Sequence, residues 1–293
     1  MLIALLKTMR PRQWTKNGFV FAAIVFDRQL SLSNLTPLAR SLAAFGLFCL
    51  LSSSVYIIND LLDVEADRLH PTKRNRPIAS GELPRNVAVF AAVLLVSFTV
   101  VVSFLLSSSL AWIVLLYFGI NLAYSTYLKH VPLLDVIIIA AGFVLRVGAG
   151  VAVIQVQRFS PWLYVATTLL ALYVGFGKRR AELTLLNDQA NATRRVMEGY
   201  NLPLLDHLIT VVSSCTIMTY SLYTFSAPNL PEDHTMMLTI PFVMYGIFRY
   251  LYLIHVKQEG GVPEELLMTD RPLQIAILLW GLTVLVLFYF LKQ

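Results

Sequence analysis

The chain has 293 residues and a formal net charge of +6, and it is 57% hydrophobic with only 14% charged residues. A soluble domain carries about a quarter charged residues, so this composition, with a mean hydropathy of +0.68, excludes a water-soluble fold. The cysteines, Cys49 and Cys215, lie in apolar stretches without a CxxC; they exclude a disulfide framework or zinc–thiolate centre and read as small core residues.

The apolar runs are continuous rather than alternating, which excludes a β-barrel. Crossing a bilayer takes about 20 residues of helix, because backbone in lipid must satisfy its own hydrogen bonds. Nine spans are predicted, at 17–31, 38–60, 86–106, 110–126, 133–153, 161–177, 205–225, 237–256 and 272–290. The short apolar N-terminus meets Lys7, Arg10, Pro11 and Arg12 with no small-residue cleavage pattern, so it does not read as a signal peptide. The first span is short and weakly apolar, and reads as partly interfacial.

Nine spans sort the connections into two sets. The N-terminus and the loops near 61–85, 127–132, 178–204 and 257–271 hold seventeen of the 23 Lys and Arg, Arg194 and Arg195 among them, while the opposite set holds little beyond Arg158 and Lys292. The positive-inside rule therefore places the first set, and the N-terminus, in the cytoplasm. The long polar loops at 61–85 and 178–204 are on that side, so the active site is expected there. The expectation is one all-α transmembrane domain over 1–293, in the inner or plasma membrane. Basic residues that follow membrane sidedness exclude nucleic acid as a partner; a homo-oligomer stays open.

The candidate chemistry follows in chain order. Arg10-Pro-Arg12-Gln-Trp14-Thr-Lys16-Asn17 precedes the first span; a Trp with basic neighbours suits interfacial anchoring and phosphate binding equally. The second span ends in Asn59, Asp60, Asp63 and Asp67, a spacing that lines up one stripe of a helix. Clustered carboxylates repel one another unless a cation sits between them, and acids at a helix C-terminus also oppose its dipole. Mg²⁺ suits the set, since it takes oxygen ligands and bridges carboxylates to substrate phosphates. Arg68, Lys73, Arg74 and Arg76 follow directly; such a run supplies guanidinium forks and a point charge for a diphosphate, or a surface anchor.

Further along, Tyr124, Lys129 and His130 precede Asp135 at the start of the fifth span. Lys129 and His130 can meet a phosphate and Asp135 a metal or ribose hydroxyls, although a lone His is more often structural. Lys178, Arg179 and Glu182 can share a helical face, as a second substrate-binding lip or a salt-bridge cluster. Arg146 and Arg249 fall within spans, where a charge is costly and should face the interior or a polar cavity; Arg249 can also snorkel. Asp270 and Arg271 open the last span, where they can cap it or border the site. A P-loop, HExxH and GxSxG are absent.

Together these segments resemble the UbiA superfamily of intramembrane prenyltransferases. RPRQWTKN, the stretch from SSSVYIINDLLDVEADRLHPTKRNRPIASGEL, YSTYLKHVPLLDVIIIAAGFVLRVGAG, GKRRAEL and PEELLMTDRPL are similar to its decaprenyl-phosphate phosphoribosyltransferase branch. Ordinary prenyltransferases carry a second Asp-rich motif where this chain has Lys178-Arg179-Arg180-Ala-Glu182, which suits an additional phosphate instead. The resemblance implies a UbiA-like helical bundle and attack of a polyprenyl phosphate on C1 of 5-phosphoribosyl diphosphate (PRPP), with Mg²⁺ as cofactor and pyrophosphate as leaving group, feeding arabinose donors of the cell envelope. On that reading Asn59, Asp60, Asp63 and Asp67 hold the metal, and Arg68, Lys73, Arg74 and Arg76 the PRPP phosphates. Lys16, Lys129, Lys178 and Arg179 are candidates for the 5-phosphate or the lipid phosphate, and Tyr124, Asp135 and Glu182 for the ribose. Asn17, His130 and Arg146 join the substrate-binding set. The competing expectation is an ordinary prenyltransferase moving a prenyl group from its diphosphate to an aromatic or lipid acceptor.

Overall fold

A computed structural model describes residues 1–31, 33–154, 156, 160–187, 195–227, 230, 233–259, 261 and 263–289. Arg158, Arg194 and Lys292 lie outside the described residues. The α-helices are α1 (Leu2–Met9), α2 (Ala22–Phe26), α3 (Thr36–Leu62), α4 (Val64–Leu69), α5 (Arg85–Leu106), α6 (Ser108–Thr126), α7 (Leu134–Ile154), α8 (Pro161–Asn187), α9 (Leu202–Ser226), α10 (Ile240–His255), α11 (Pro263–Thr269) and α12 (Arg271–Tyr289), with short 3-10 turns between some of them. Among the described residues there is no strand.

Seven helical stretches among these residues are long and apolar enough to cross a membrane: Thr36–Leu62, Arg85–Leu106, Ser108–Thr126, Leu134–Ile154, Leu202–Ser226, Thr235–His255 and Arg271–Tyr289. Each overlaps an expected span. Their outward faces are apolar, with Phe90, Leu94, Val101 and Leu105 exposed along α5 alone. An exposed stripe of that size is a liability in water and a lipid contact in a bilayer, so the chain is an integral membrane protein.

Two expected spans fare differently. The 17–31 run is not one helix: Pro11–Phe21 is a 3-10 segment that passes into the five-residue α2. The expected 161–177 span is part of α8, a 27-residue helix outside those seven stretches. The expected core role of the cysteines holds for buried Cys49, but Cys215 on α9 is exposed.

The chain forms two compact units. The first comprises 1–128 and 145–157, with α1 to α6 and the end of α7. Ala4 and Met9 of α1 pack with Ile57, Val64, Ile78, Leu83, Ala88 and Ala92 in one of its apolar cores. Within α3, Ser52, Ser53 and Ser54 return their hydroxyls to carbonyls three or four residues back, so polar side chains cost little in an apolar span. The same unit brings α7 hard against the chain after Asn17. A Cβ on Gly150 would lie 2.1 Å from the Val20 carbonyl oxygen and 3.1 Å from the Ala23 Cβ. Gly150→Ala gains about 1 kcal/mol of helix propensity. The clash is with backbone, and overpacking of that kind costs about 1–3 kcal/mol. The variant is therefore expected to unfold at a lower temperature than the wild type in a thermal scan, and a raised midpoint would contradict the packing.

The second unit comprises 129–144 and 158–293. Its core is built from Val136 on α7, Tyr173 and Phe176 on α8, Leu205, Ile209 and Val212 on α9 and Ile247, Tyr250, Leu253 and Ile254 on α10. The Tyr173 hydroxyl donates to the Ile247 carbonyl at 2.8 Å, which satisfies the one polar atom of a large buried ring. The Asn201 side chain accepts from the Leu204 N–H and caps α9, and Asp270 caps α12 through the Leu273 N–H, as its position suggested. Asp270 also takes both ends of the Arg249 guanidinium, at 3.1 and 2.7 Å. That fork holds the Asp270 carboxyl below its usual range, and Arg249 in turn lies over the Tyr252 ring.

Candidate active site

In the first unit the Asp-rich motif straddles a helix junction. α3 stops at Leu62, Asp63 sits at φ −90°, ψ 4°, and α4 begins at Val64. The helical bonds nearly bridge the break, Asp63 N–H to Asn59 and Asp67 N–H to Asp63. The four residues therefore do not form the single stripe expected of an unbroken helix. Asp60 and Asp67 are buried together, 2% and 3% exposed, whereas Asn59 donates to Asp63 at 3.2 Å in a half-buried pair.

Two guanidiniums hold the buried pair. Arg76 donates to Asp60 Oδ1 at 3.0 Å and to Asp67 Oδ2 at 2.7 Å, and Arg10 donates to Asp60 Oδ1 at 2.6 Å. Arg10 sits at φ 52°, where α1 ends. α1 packs through Met9, whose carbonyl accepts from Ser53, and Ser53 in turn accepts from Trp14. The Arg10 guanidinium also lies 4.9 Å from the Tyr56 ring centre. Arg76 follows a tight turn that His70 organises by accepting the Thr72 and Lys73 N–H groups at Nδ1. The acids thus ride on helices and their arginines on connections.

The neighbouring basic residues divide. Arg68 donates to the Ala79 carbonyl and to Glu65, and Arg85 also reaches Glu65, an exposed cluster in which Arg85 and Arg68 hold the Glu65 carboxyl below its ordinary range. Lys73 is half-buried and Arg74 exposed, both on the turn that leads to Arg76. Lys16 and Tyr124 are half-buried in the same unit.

A second polar group in this unit is interior. Arg146 donates from Nε to Asn17 at 2.7 Å and from Nη2 to the Tyr117 hydroxyl at 2.8 Å, with its guanidinium 4.9 Å from that ring centre. Asn17 donates onward to Cys49 Sγ and Ser52 Oγ. The expectation that Arg146 faces inward is met, with an amide and a phenol lining its seat.

In the second unit Asp135 and Arg179 are 0% and 3% exposed. Arg179 donates from Nε to Asp135 at 2.7 Å and from Nη1 to Glu182 at 2.5 Å. The Tyr200 hydroxyl donates to the other Asp135 oxygen at 2.6 Å and accepts the Leu133 N–H at 2.7 Å. Burial, with that carboxylate beside it, holds the Tyr200 phenol above its ordinary range. Leu133 is held at φ 68°, and Gly199 approaches so close that a Cβ would meet Pro132 at 2.2 Å. The 131–135 connection is therefore clamped between Tyr200 and Gly199. Lys129 is half-buried and His130 exposed just before it, and Lys178 is half-buried on α8. Arg180 pairs with Asp206.

Of the expected residues, the structure joins Asp60, Asp67 and Arg76 in one network, Asn17 and Arg146 in another, and Asp135, Arg179 and Glu182 in a third. Sequence reasoning had not placed Arg10, Tyr117 or Tyr200 in these networks. Arg10 carried a weak signal in its basic segment; the two tyrosines carried none. Among the described residues no three His, Cys, Asp or Glu side chains converge as a preformed metal cage. The donor set still suits a hard cation: Asp60, Asp63 and Asp67 supply carboxylates and Asn59 an amide oxygen, and the guanidiniums take one oxygen each of Asp60 and Asp67.

The protein-family model described as the UbiA prenyltransferase family matches residues 19–264. The chain is 36% identical to a protein of Mycolicibacterium smegmatis named decaprenyl-phosphate phosphoribosyltransferase, across 98% of this chain and 92% of the relative. A protein of Mycobacterium tuberculosis with the same name is 32% identical across 97% of this chain and 94% of its own length. Among solved structures, a UbiA homolog from Archaeoglobus fulgidus bound to DMAPP and Mg²⁺ superposes with a TM-score of 0.72 at 18% identity, covering 98% of this chain and 99% of that one; that likeness speaks for the fold. The chain belongs to the UbiA prenyltransferase family, and over nearly its whole length it is similar to the decaprenyl-phosphate phosphoribosyltransferases.

Proposed function

We propose that this protein transfers the 5-phosphoribosyl group of PRPP to a polyprenyl phosphate and releases pyrophosphate. The observation that carries the reading is similarity along almost the entire chain to proteins named for that reaction. The site chemistry supports it. The nucleophile is a phosphate oxygen, already ionised near neutral pH, so the reaction needs no strong base. That oxygen bonds to C1 of the ribose as the C1–O bond to the diphosphate breaks, and the bonding pair leaves with pyrophosphate. The anomeric carbon gains oxocarbenium character as in other glycosyl transfers.

What remains for the protein is positioning and electrostatics. Asn59, Asp60, Asp63 and Asp67 would hold Mg²⁺, which when bound neutralises charge on the departing diphosphate. Arg76 and Arg10, with Arg68, Lys73 and Arg74 on the adjoining segment, are the candidates for PRPP phosphates. Lys16, Lys129, His130 and Lys178 are candidates for the 5-phosphate or lipid phosphate, with Tyr124 and Glu182 for the ribose and Asn17 and Arg146 as a buried polar seat. Asp135 and Arg179 bond each other, and so serve best by shaping the connection that carries Lys129 and His130.

The same reading makes the chain one catalytic domain over 1–293 with nine crossings. Its N-terminus and site are cytoplasmic, where water-soluble PRPP meets a lipid phosphate in the inner or plasma membrane; the product would supply arabinose donors of the cell envelope. Radiolabelled PRPP given with decaprenyl phosphate should yield a labelled lipid, and prenyl diphosphate given with an aromatic acid should yield none. Transfer only in the second pair would make the protein an ordinary prenyltransferase.

A further inference from the structure

We propose that Arg76 and Arg10 are resident counter-cations of the acidic site, which hold Asp60 and Asp67 until a metal and a diphosphate arrive together and displace them. This rests on reading the motif as a metal–diphosphate site. Asp60 and Asp67 are almost wholly buried, and a buried carboxylate stays charged only when paired and hydrogen-bonded. Their charges are balanced by two guanidiniums at 2.6–3.0 Å. With both arginines in place, the three carboxylates Asp60, Asp63 and Asp67 face two positive charges, a net of about −1 that a divalent cation alone would turn to about +1.

A divalent cation entering alone would leave this cluster with an excess of positive charge at close range. Mutual repulsion would keep its affinity low. A diphosphate reverses the balance, because it both ligates the metal and accepts the displaced guanidiniums as bidentate partners. Metal and diphosphate then each raise the other's affinity, and by linkage the two enhancements are equal.

The placement suits such an exchange. The acids sit on the helical segments α3 and α4, and the arginines on the connections after α1 and before α5. The arginine side chains keep 30% and 25% exposure where the acids have 2% and 4%. Arg10 already lies over the Tyr56 ring while it holds Asp60, a contact that partly compensates the cation.

The test uses the purified full chain in nanodiscs, with Mn²⁺ as the probe metal and binding read by electron paramagnetic resonance, with and without pyrophosphate. Wild type should bind Mn²⁺ weakly alone and more tightly with pyrophosphate. Arg76→Gln should bind Mn²⁺ alone about tenfold more tightly, and its enhancement by pyrophosphate should shrink by about the same factor. Arg10→Gln, which leaves Arg76 in place, should shift both quantities the same way and carries the test if Arg76→Gln fails to fold. Mn²⁺ affinity in the folded variants equal to or below wild type overturns the exchange. Absence of Mn²⁺ binding by wild type even with pyrophosphate overturns the metal–diphosphate reading itself, and the exchange with it.

Discussion

Asp63→Ala is expected to lower phosphoribosyl transfer by about 10²–10³-fold or more, the scale on which removal of one preorganised electrostatic partner acts, while the protein stays folded. The Asp63 side chain accepts from Asn59 at 3.2 Å in a half-buried pair. Its backbone bridges the α3–α4 junction, through the N–H to Asn59 and the carbonyl that accepts from Asp67. Alanine keeps both bonds and has the higher helix propensity. Asp60→Ala removes the partner of two guanidiniums and should lower stability along with activity, so it separates the two effects poorly. Labelled PRPP turnover alongside a thermal melt checks the claim. Full activity in a well-folded Asp63→Ala sample would remove the metal assignment.

Asp135→Ala should produce the largest stability loss. Arg179 is as buried as its partner, and breaking such a pair by removing one member costs about 3–5 kcal/mol. Glu182 remains on the Arg179 Nη1, which argues for the lower end. The Tyr200 hydroxyl loses its acceptor at the same time, leaving a buried donor unsatisfied at a further cost of about 1–3 kcal/mol. Combining Asp135→Ala with Arg179→Met removes the stranded charge and should restore much of the loss. Thermal unfolding of the two variants beside wild type measures this. A single variant as stable as wild type would show that the pair does not hold the α7–α8 packing. A double variant that regains stability without turnover would assign these charges a part in the reaction.

Most membrane helices were legible because lipid imposes a length and an apolar composition that ordinary loops lack. The run from Thr36 to Leu62 differs from its expected 38–60 by two residues at each end. The first expected span, read as partly interfacial, differs from one continuous helix for a local reason. Its apolar residues from Phe19 to Phe26 follow Pro11 and Gly18, and the chain there takes 3-10 turns before a single short helix. The helix Leu2–Met9, too short for a span, escaped notice altogether.

At the site, the gathering of the acids followed from their spacing, although the helix break at Asp63 replaces the expected single stripe. The identity of their partner did not. Clustered acids demand a positive charge, and both a metal ion and an arginine meet that demand. Which one is present depends on where a residue fifty positions earlier folds back, and Arg10 does so because Met9 and Trp14 both bond to Ser53 on α3. Tyr200 was invisible for the same reason: its partners Leu133 and Asp135 are about 65 positions away, and nothing in its neighbourhood marks it.

The arginine–aspartate network has a consequence for the order of synthesis. All four of its members lie between positions 10 and 76, so they leave the ribosome before the greater part of the chain exists. The acids at the α3–α4 junction can therefore find their compensating charges within the first segment made, without waiting for a metal or a diphosphate. A nascent chain that brings its own neutralising residues can settle this hairpin of helices early, and its cargo can be loaded after translation is complete.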